Sequence, residues 1–316
     1  MEQFQVRTDL ALETREKFEE DNVEIKGVKV EEEYLEGTEI KVTTMVIETE
    51  NGAKAMGRPK GNYITVEAPN MDGQDEEYHE RISVELAKII QKLLPETEGK
   101  LSVLVAGLGN REVTPDALGP RVVDHMMITR HVLKEFGKYA FGEEEVTSVS
   151  GIVPGVMAQT GMESQEIIRG IIEETKPDVM IAIDALAARS TKRLSRTIQI
   201  TDTGINPGSG VGNHRHGLSK ETLGVPVIAI GVPTVVDAAT IVGDTMQNLI
   251  QAMEQNTHLQ SLSIGLNALN AMEKYELIRE LLSPQLNTMF VTPKDIDESV
   301  RQLSNTISEG LNIALA

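Results

Sequence analysis

The spacing of apolar positions divides the chain into two kinds of region. Up to about residue 70, short stretches alternate apolar and polar residues between Gly and Asn breaks, which predicts antiparallel strands with one solvated face. From Leu101, continuous apolar stretches alternate with amphipathic helical patterns, which predicts a mostly parallel sheet flanked by helices. The expected fold class is therefore α/β, with an added N-terminal antiparallel β region. The predicted strands are Val23–Val30, Ile40–Ile47, Asn62–Glu67, Leu101–Ala106, Glu145–Ser150, Asp178–Ile183, Arg196–Ile200 and Pro226–Ile230.

Helical spacing completes this pattern. A polar stretch with helical spacing covers Thr8–Glu20, and residues 256–316 are predicted to be helical again, with breaks at Pro284 and at Val291–Pro293. We expect one domain, with a β region at about 20–70, an α/β core at about 100–255 and a helical part at about 256–316. The other predicted helices are Asp75–Leu94, Ala117–Phe136, Met162–Thr175 and Val235–Glu254.

Two aspartates carry the same Asp-Ala-Leu signature at the predicted edge of the sheet. Asp184 directly follows the apolar run Val179–Ile183, and Asp116 follows a proline beyond the first strand of the core. Binding and catalysis in open α/β sheets gather at the carboxyl ends of the strands. Two carboxylates there could share a proton and activate water, which is the chemistry of an acid-type peptidase.

A structural role for the same residues also has to be weighed. Asp116 precedes a helical pattern, so its local sequence favours a helix N-cap, as does that of Thr114. Asp184 is different, because a carboxylate after an unbroken apolar strand must be paired, protonated or at the mouth of a site. Thr234 is predicted to cap the helix that follows the last core strand, with Asp237 in its first turn.

Two glycine-rich stretches are candidate loops of a binding cleft. Val105–Asn110 ends a strand, but Glu112 stands where a dinucleotide fingerprint needs its third glycine, so nucleotide binding is disfavoured. The loop Asn206–Gly217 carries His214, Arg215 and a second histidine, which suggests a metal pair, a phosphate-binding loop or simply a solvated basic loop. Its Ser209 does not fit the nucleophile elbow of serine hydrolases.

Charge and composition exclude several classes of protein. With 49 acidic and 30 basic residues, the formal charge is −19, which argues against direct nucleic-acid binding. There is no cysteine, so thiol catalysis, disulfides and Cys-bound zinc are excluded. No apolar run approaches the roughly 18 residues of a membrane span, and no signal peptide is recognisable at the N-terminus, so we expect a cytoplasmic protein without a membrane association.

Several long motifs together resemble one family, the germination proteases of spore-forming Firmicutes. The similarity runs from about residue 6 to the C-terminus, and motifs of this length are highly specific. The matching stretches are Arg7–Glu13, Val113–Pro120, Ile181–Arg189, Thr201–Ile205, Pro207–Asn213 and Leu223–Asp237.

The resemblance implies an endopeptidase that degrades small acid-soluble spore proteins during germination. It implies a homotetrameric zymogen in the forespore and spore core and a fold similar to hydrogenase maturation peptidases. We expect no cofactor and no metal ligand, although whether a metal assists is not decided by the sequence. It also implies that the two catalytic aspartates are Asp116 and Asp184. A removable propeptide would cover residues 1–9.

The residues Thr8–Glu13 look like the substrate site of the family itself, an acidic residue followed by an apolar one and Ala. We therefore expect self-cleavage between Asp9 and Leu10. Selection of an acidic residue before the cleaved bond needs a cation, for which Arg189, Arg215 and Arg121 are candidates, and His214 is a further candidate for substrate binding. A metal-dependent hydrolase using Asp116, Asp184 and His214, and a non-catalytic binding module, remain alternatives.

Overall fold

A computed structural model of the chain describes residues 8–20, 25–71, 73–137, 141, 146–208, 216–238, 240–242, 245, 249, 252–253 and 289–316. Within these residues, nine strands form one sheet in the order β1-β2-β3-β7-β8-β6-β4-β5, with the short β9 paired to β8. The strands are β1 Val28–Tyr34, β2 Lys41–Ile47, β3 Gly61–Glu67, β4 Ser102–Gly107, β5 Ser148–Ile152, β6 Val179–Ala188, β7 Thr197–Thr201, β8 Val227–Asp237 and β9 Phe290–Val291.

The helices among the described residues cover the sheet on both faces. The C-terminal helix packs on α3 and α4 over one face, while Ile168 and Ile172 of α7 pack with Leu218 and Leu223 on the other. Two short 3-10 turns lie at Thr114–Asp116 and Thr191–Arg193. The helices are α1 Ala11–Glu20, α2 Glu50–Met56, α3 Glu76–Leu93, α4 Leu118–Asp124, α5 Arg130–Phe136, α6 Met157–Thr160, α7 Ser164–Thr175, α8 Lys220–Leu223 and α9 Ile296–Leu315.

The predicted fold class is confirmed by the directions of the strands. β4 pairs in parallel with β5 and β6, and β6 pairs in parallel with β8. β1, β2, β3 and β7 pair antiparallel to one another and join this core through the antiparallel β7–β8 pair. The N-terminal β region is therefore continuous with the core sheet, and strands buried on both faces lie in its parallel half.

The prediction of one continuous helix over Ala117–Phe136 is wrong. The structure has two helices, α4 and α5, because a side chain of α9 binds the chain between them. Asn312 Oδ1 accepts the Met127 N–H at 2.8 Å, and Asn312 Nδ2 donates to the carbonyl oxygen of His125 at 3.1 Å. This contact from a distant helix ends α4 after its second turn, which no local pattern could indicate.

The predicted helix start at Thr234 is also wrong. β8 continues to Asp237, with Pro233 opposite Leu186 of β6 and Val235 opposite Ala187, so Thr234 is the extra residue of a bulge. Pairing with β6 and β9 therefore outweighs the local capping pattern. The structure also adds α2, which the apolar spacing did not predict, while residues 256–288 of the predicted C-terminal helical part lie outside the described residues.

Candidate active site

Asp184 lies inside the long buried strand β6. Its residue is 5% exposed, and it stands opposite Gly231 of β8. The carboxylate oxygen Oδ1 accepts the N–H of Ala185 at 2.9 Å. Because burial of an ionised carboxylate is costly, a second group that can share or transfer a proton with Asp184 would stabilise it at this position.

Asp116 ends the 3-10 turn that joins β4 to α4. Its Oδ2 accepts the N–H of Asn110 at 2.7 Å, so the carboxylate faces the loop at the end of β4. The first residue before α4 is Ala117, and no side chain caps that helix, so the predicted capping role of Asp116 is wrong.

Three glycines allow the Asp116 turn and the start of α4 to approach the middle of β6. A Cβ on Gly119 would lie 2.4 Å from the carbonyl oxygen of Ile183, the residue before Asp184. A Cβ on Gly109, whose φ is +110°, would lie 2.0 Å from the Asp116 carbonyl oxygen, and one on Gly107 would lie 2.2 Å from that of Gly119. The turn accordingly contacts both β6 and β8. Asp116 and Asp184 thus belong to the same edge of the sheet.

The segment Thr8–Glu13 lies beside this edge and is bound to β6 and β7. The Asp9 N–H donates to the Ala187 carbonyl oxygen at 3.0 Å, and the Ala187 N–H donates to Asp9 Oδ2 at 2.9 Å. Gln199 of β7 binds both sides of the predicted cleavage position, because its Oε1 accepts the Ala11 N–H at 2.6 Å and its Nε2 donates to the Asp9 carbonyl oxygen at 3.2 Å. Leu10 is fully buried against Leu186 and Ala188 of β6.

Glu13 is held in a polar pocket that we call the anchor pocket, formed by the backbone N–H groups of Arg189 and Ser190 and the side chain of Arg193. The Glu13 residue is 3% exposed. Its Oε2 accepts the Arg189 N–H at 2.8 Å, its Oε1 accepts the Ser190 N–H at 3.0 Å, and Arg193 Nη1 lies 3.3 Å from Oε1. The hydroxyl of Thr8 donates to the same carboxylate. Every one of these groups is a hydrogen-bond donor, so the buried carboxylate oxygens are satisfied by partners.

Arg193 links Glu13 to two further acids. It donates to both carboxylate oxygens of Glu16 and to Glu67 of β3. Burial lowers the pKa of Arg193, but the bond to Glu16 and the charges of Glu16, Glu13 and Glu67 outweigh it, so the pKa lies above its ordinary value. Arg193 therefore stays charged.

An open cavity of about 450 Å³ adjoins this pocket. Its lining combines the acids Glu13, Glu16 and Glu67 with four basic residues, Arg189, Lys192, Arg193 and Arg196.

Of the cations predicted for substrate binding, Arg189 lies in this region. Arg189 contacts Glu13 through its backbone N–H, and its residue lines the cavity, whereas Arg121 lies on α4. Sequence reasoning missed Arg193 and Arg58. Burial lowers the pKa of Arg58, and the charges of Tyr63, Asp9 and Glu13 oppose that shift. No motif marks either arginine, because each is brought to the segment only by folding.

The predicted metal and loop residues are tested only in part. His214 and Arg215 lie outside the described residues. The neighbouring His216 binds Glu163, with Nδ1 and Oε2 2.5 Å apart. Across the described ranges, no group of three His, Asp or Glu side chains is arranged to hold a metal ion. None of the helices in those ranges has the length and apolar character needed to cross a membrane.

An α/β sheet that carries a buried aspartate, a second aspartate on a turn packed against the same strand and a peptide segment bound alongside is compatible with a peptidase. The family model described as "Germination protease" matches residues 6–263 and 253–316. The chain belongs to the germination protease family, and it is a peptidase.

Curated relatives agree over nearly the whole chain. The germination protease of Caldanaerobacter subterraneus subsp. tengcongensis is 51% identical over 98% of this chain and 94% of that protein. Those of Clostridium tetani and Bacillus cereus G9842 are 47% and 43% identical, over 98% and 100% of this chain and 95% of each relative. The resemblance stated from the motifs is therefore confirmed.

One solved structure is also similar, the NiFe hydrogenase maturation protease HycI from Thermococcus kodakarensis KOD1. It is 22% identical, covering 46% of this chain and 80% of its own, with a TM-score of 0.27. A likeness of this size supports no conclusion about the site.

Proposed function

We propose that this protein is the endopeptidase that begins the degradation of small acid-soluble spore proteins during germination. Membership of the germination protease family supports the substrate class and the setting. The observation that carries the chemistry is the packing of the Asp116 turn and the start of α4 against the middle of β6, at the residue directly before Asp184. The proposal places the protein in the forespore and spore core, as a homotetramer without a cofactor.

The mechanism we propose is an aspartic dyad. One carboxylate, ionised, takes a proton from a water molecule, whose oxygen attacks the peptide carbonyl carbon. The other carboxyl group, protonated, gives its proton to the carbonyl oxygen, so that a gem-diol forms. As the C–N bond breaks, the proton taken from water passes from the dyad to the leaving nitrogen, and a hydroxyl proton of the gem-diol returns to the dyad, which again holds one proton. Because the two groups titrate as a coupled pair, the two roles belong to the pair of Asp116 and Asp184.

The same site is proposed to cut the chain itself between Asp9 and Leu10, so that residues 1–9 are the propeptide of a zymogen. Two contacts support this. Asp9 is hydrogen-bonded to Ala187, three residues after Asp184 on the same strand, and Leu10 packs on Leu186, two residues after it. At ~3.3 Å per residue, the bond lies roughly 7–10 Å along β6 from Asp184. The segment therefore lies against the same strand as Asp184, two to three residues beyond it.

The deciding experiment compares wild type with Asp116→Asn on a purified small acid-soluble spore protein, before and after acid treatment of the enzyme. We expect wild type to shorten to a chain beginning at Leu10 and then to cleave the spore protein. Asp116→Asn should do neither, since the amide cannot exchange the required proton. Mass spectrometry of the enzyme and the fragments checks both steps. A different new N-terminus would contradict the proposed cleavage position.

The same assay separates the alternatives. Activity that a chelator abolishes and Zn²⁺ or Mn²⁺ restores would favour the metal-dependent hydrolase with Asp116, Asp184 and His214. Binding of the spore protein without any cleavage, by wild type and Asp116→Asn alike, would favour the binding module. Sedimentation of the unprocessed chain tests the homotetramer.

A further inference from the structure

The anchor pocket binds the carboxylate of Glu13 through four hydrogen-bond donors. Glu13 receives two backbone N–H groups, the Thr8 hydroxyl and the guanidinium of Arg193. The two N–H donors come from consecutive residues directly after β6, and Ser190 begins the 3-10 turn that contains Arg193. A turn of this geometry presents donors to an anion independently of which chain supplies it.

The occupant of the pocket is placed at a fixed distance from the proposed cleavage position. Glu13 is the fourth residue after the Asp9–Leu10 bond, in the first turn of α1. The intervening residues are also bound, since Leu10 packs on β6 and the Ala11 N–H donates to Gln199. The segment Thr8–Glu13 therefore makes a series of defined contacts that begins at the bond to be cut.

The surroundings of the pocket would allow a longer chain to use it. The adjoining open cavity is lined by Arg189, Lys192, Arg193 and Arg196 and by the acids Glu13, Glu16 and Glu67, and the Arg193 side chain is 13% exposed. A polypeptide with an acidic residue in the pocket can continue through this opening instead of ending in the protein interior.

From these contacts we infer that the anchor pocket is a substrate subsite that accepts an acidic side chain four residues beyond the cleaved bond, with Arg193 as its specificity-determining residue. This inference rests on the proposed function of the chain as an endopeptidase. Thr8–Glu13 is then the chain's own occupant of the subsite. After cleavage before Leu10, the remaining residues Leu10–Glu13 compete with a substrate for the same pocket.

The test uses the processed enzyme and two synthetic peptides with the sequence of residues 6–20 of this chain. One peptide carries Glu at the position of Glu13, and the other carries Gln there. Wild type should cleave the Glu peptide with a kcat/KM roughly 10- to 100-fold higher, because a charge-assisted bond to a buried pocket is lost in the Gln peptide. The effect should lie mainly in KM, since the contact is remote from the reacting carbonyl.

Enzyme variants identify the residue responsible. Arg193→Met should bring the two peptides to within about threefold of each other, and Arg193→Lys should restore part of the preference, since it keeps the charge without the fork of donors. The control Arg81→Met removes an exposed arginine paired with Glu77 on α3 and should keep the full preference. The readout is the ratio of kcat/KM for the Glu peptide to kcat/KM for the Gln peptide. A general loss of folded Arg193→Met enzyme would lower both values equally and leave this ratio unchanged.

A second variant tests the competition by the chain's own segment. Glu13→Gln in the processed enzyme should lower the KM for the Glu peptide, because the internal competitor is weakened. Equal cleavage of both peptides by wild type, or an unchanged KM in Glu13→Gln, would overturn the inference. A wild-type enzyme that cleaves the spore protein yet ignores this Glu would leave the proposed function intact, whereas no cleavage of either peptide or of the spore protein would contradict the function itself.

Discussion

The two halves of the sheet differ in how they place polar groups. In the parallel half, β6 is buried along nearly its whole length and carries Asp184 in its middle, opposite Gly231 of β8. It also holds the N-terminal segment through backbone groups, at Ala187 and in the turn that follows the strand. In the antiparallel half, β1 is largely exposed, and the segment is held by side chains: Gln199 of β7 binds it directly, and Glu67 of β3 binds Arg193. The comparison teaches that both halves hold the peptide segment, whereas only the parallel half carries the proposed catalytic Asp184.

The strongest way to test this division is to change the carboxylate in the parallel half. Asp184→Asn should lower kcat for the spore protein by at least ~10²- to 10⁴-fold, because one partner in proton transfer is lost. The matched control is Asp178→Asn at the opposite end of β6, where the Asp178 carboxylate accepts the Ser102 N–H at 2.7 Å. Steady-state kinetics on both variants measures the difference. Full activity in Asp184→Asn would end the dyad proposal.

The next effect concerns the close packing that brings the Asp116 turn to β6. Gly119→Ala should destabilise the protein by about 1–3 kcal/mol, because the new Cβ meets backbone atoms of Ile183 and Leu108 that cannot move independently. Activity should fall by more than the loss of folded protein explains, since Gly119 lies at the start of α4, just after the turn that carries Asp116. Denaturant unfolding and kinetics together test this.

Gly170→Ala is the control for that change. Gly170 lies in α7, is exposed, and a Cβ there meets nothing within 4 Å. Replacing a helical glycine by alanine should stabilise the protein by up to ~1 kcal/mol and leave activity unchanged. Destabilisation by both substitutions would show that the effect at Gly119 is not specific to the packing at the site.

A change in the antiparallel half should act on the peptide and leave the chemistry intact. Gln199→Ala removes the two bonds to Ala11 and Asp9, so self-cleavage at Asp9–Leu10 should slow by roughly tenfold, which corresponds to one net hydrogen bond of about 1.4 kcal/mol. The control Gln91→Ala alters an exposed glutamine of α3. Time courses followed by mass spectrometry measure the rate. An unchanged rate would mean that Gln199 does not position the segment.

The smallest effect is expected at the outer edge of the sheet. Lys29 of β1 pairs with Glu48 at 2.7 Å, but the Lys29 side chain is 70% exposed. Lys29→Ala should therefore leave the Tm and the cleavage rates within experimental error, because exposed pairs are strongly screened. A marked fall in the Tm or in a cleavage rate would show that β1, at the outer edge of the sheet, contributes to stability or to cleavage.

Much of this architecture follows from the pattern of residues. Continuous apolar runs identified β4, the first half of β6 and the beginning of β8, because strands buried on both faces have no polar positions to alternate. The same reasoning placed Asp184 just after the end of its strand, which is wrong, since pairing with β8 continues β6 through Asp184 to Ala188. The Asp9–Leu10 cleavage position and the dyad remain proposals, supported by where the structure places those residues.

The sequence alone thus determined the fold class and the family, because these depend on local periodicity and on long contiguous motifs. Only the tertiary structure decided that Asn312 separates α4 from α5, that β8 continues past Thr234, and that Arg193 closes over Glu13. Each of these contacts joins residues about 47 to 185 positions apart. Their energy comes from partners that no local window contains, so the preferences of neighbouring residues could not reveal them.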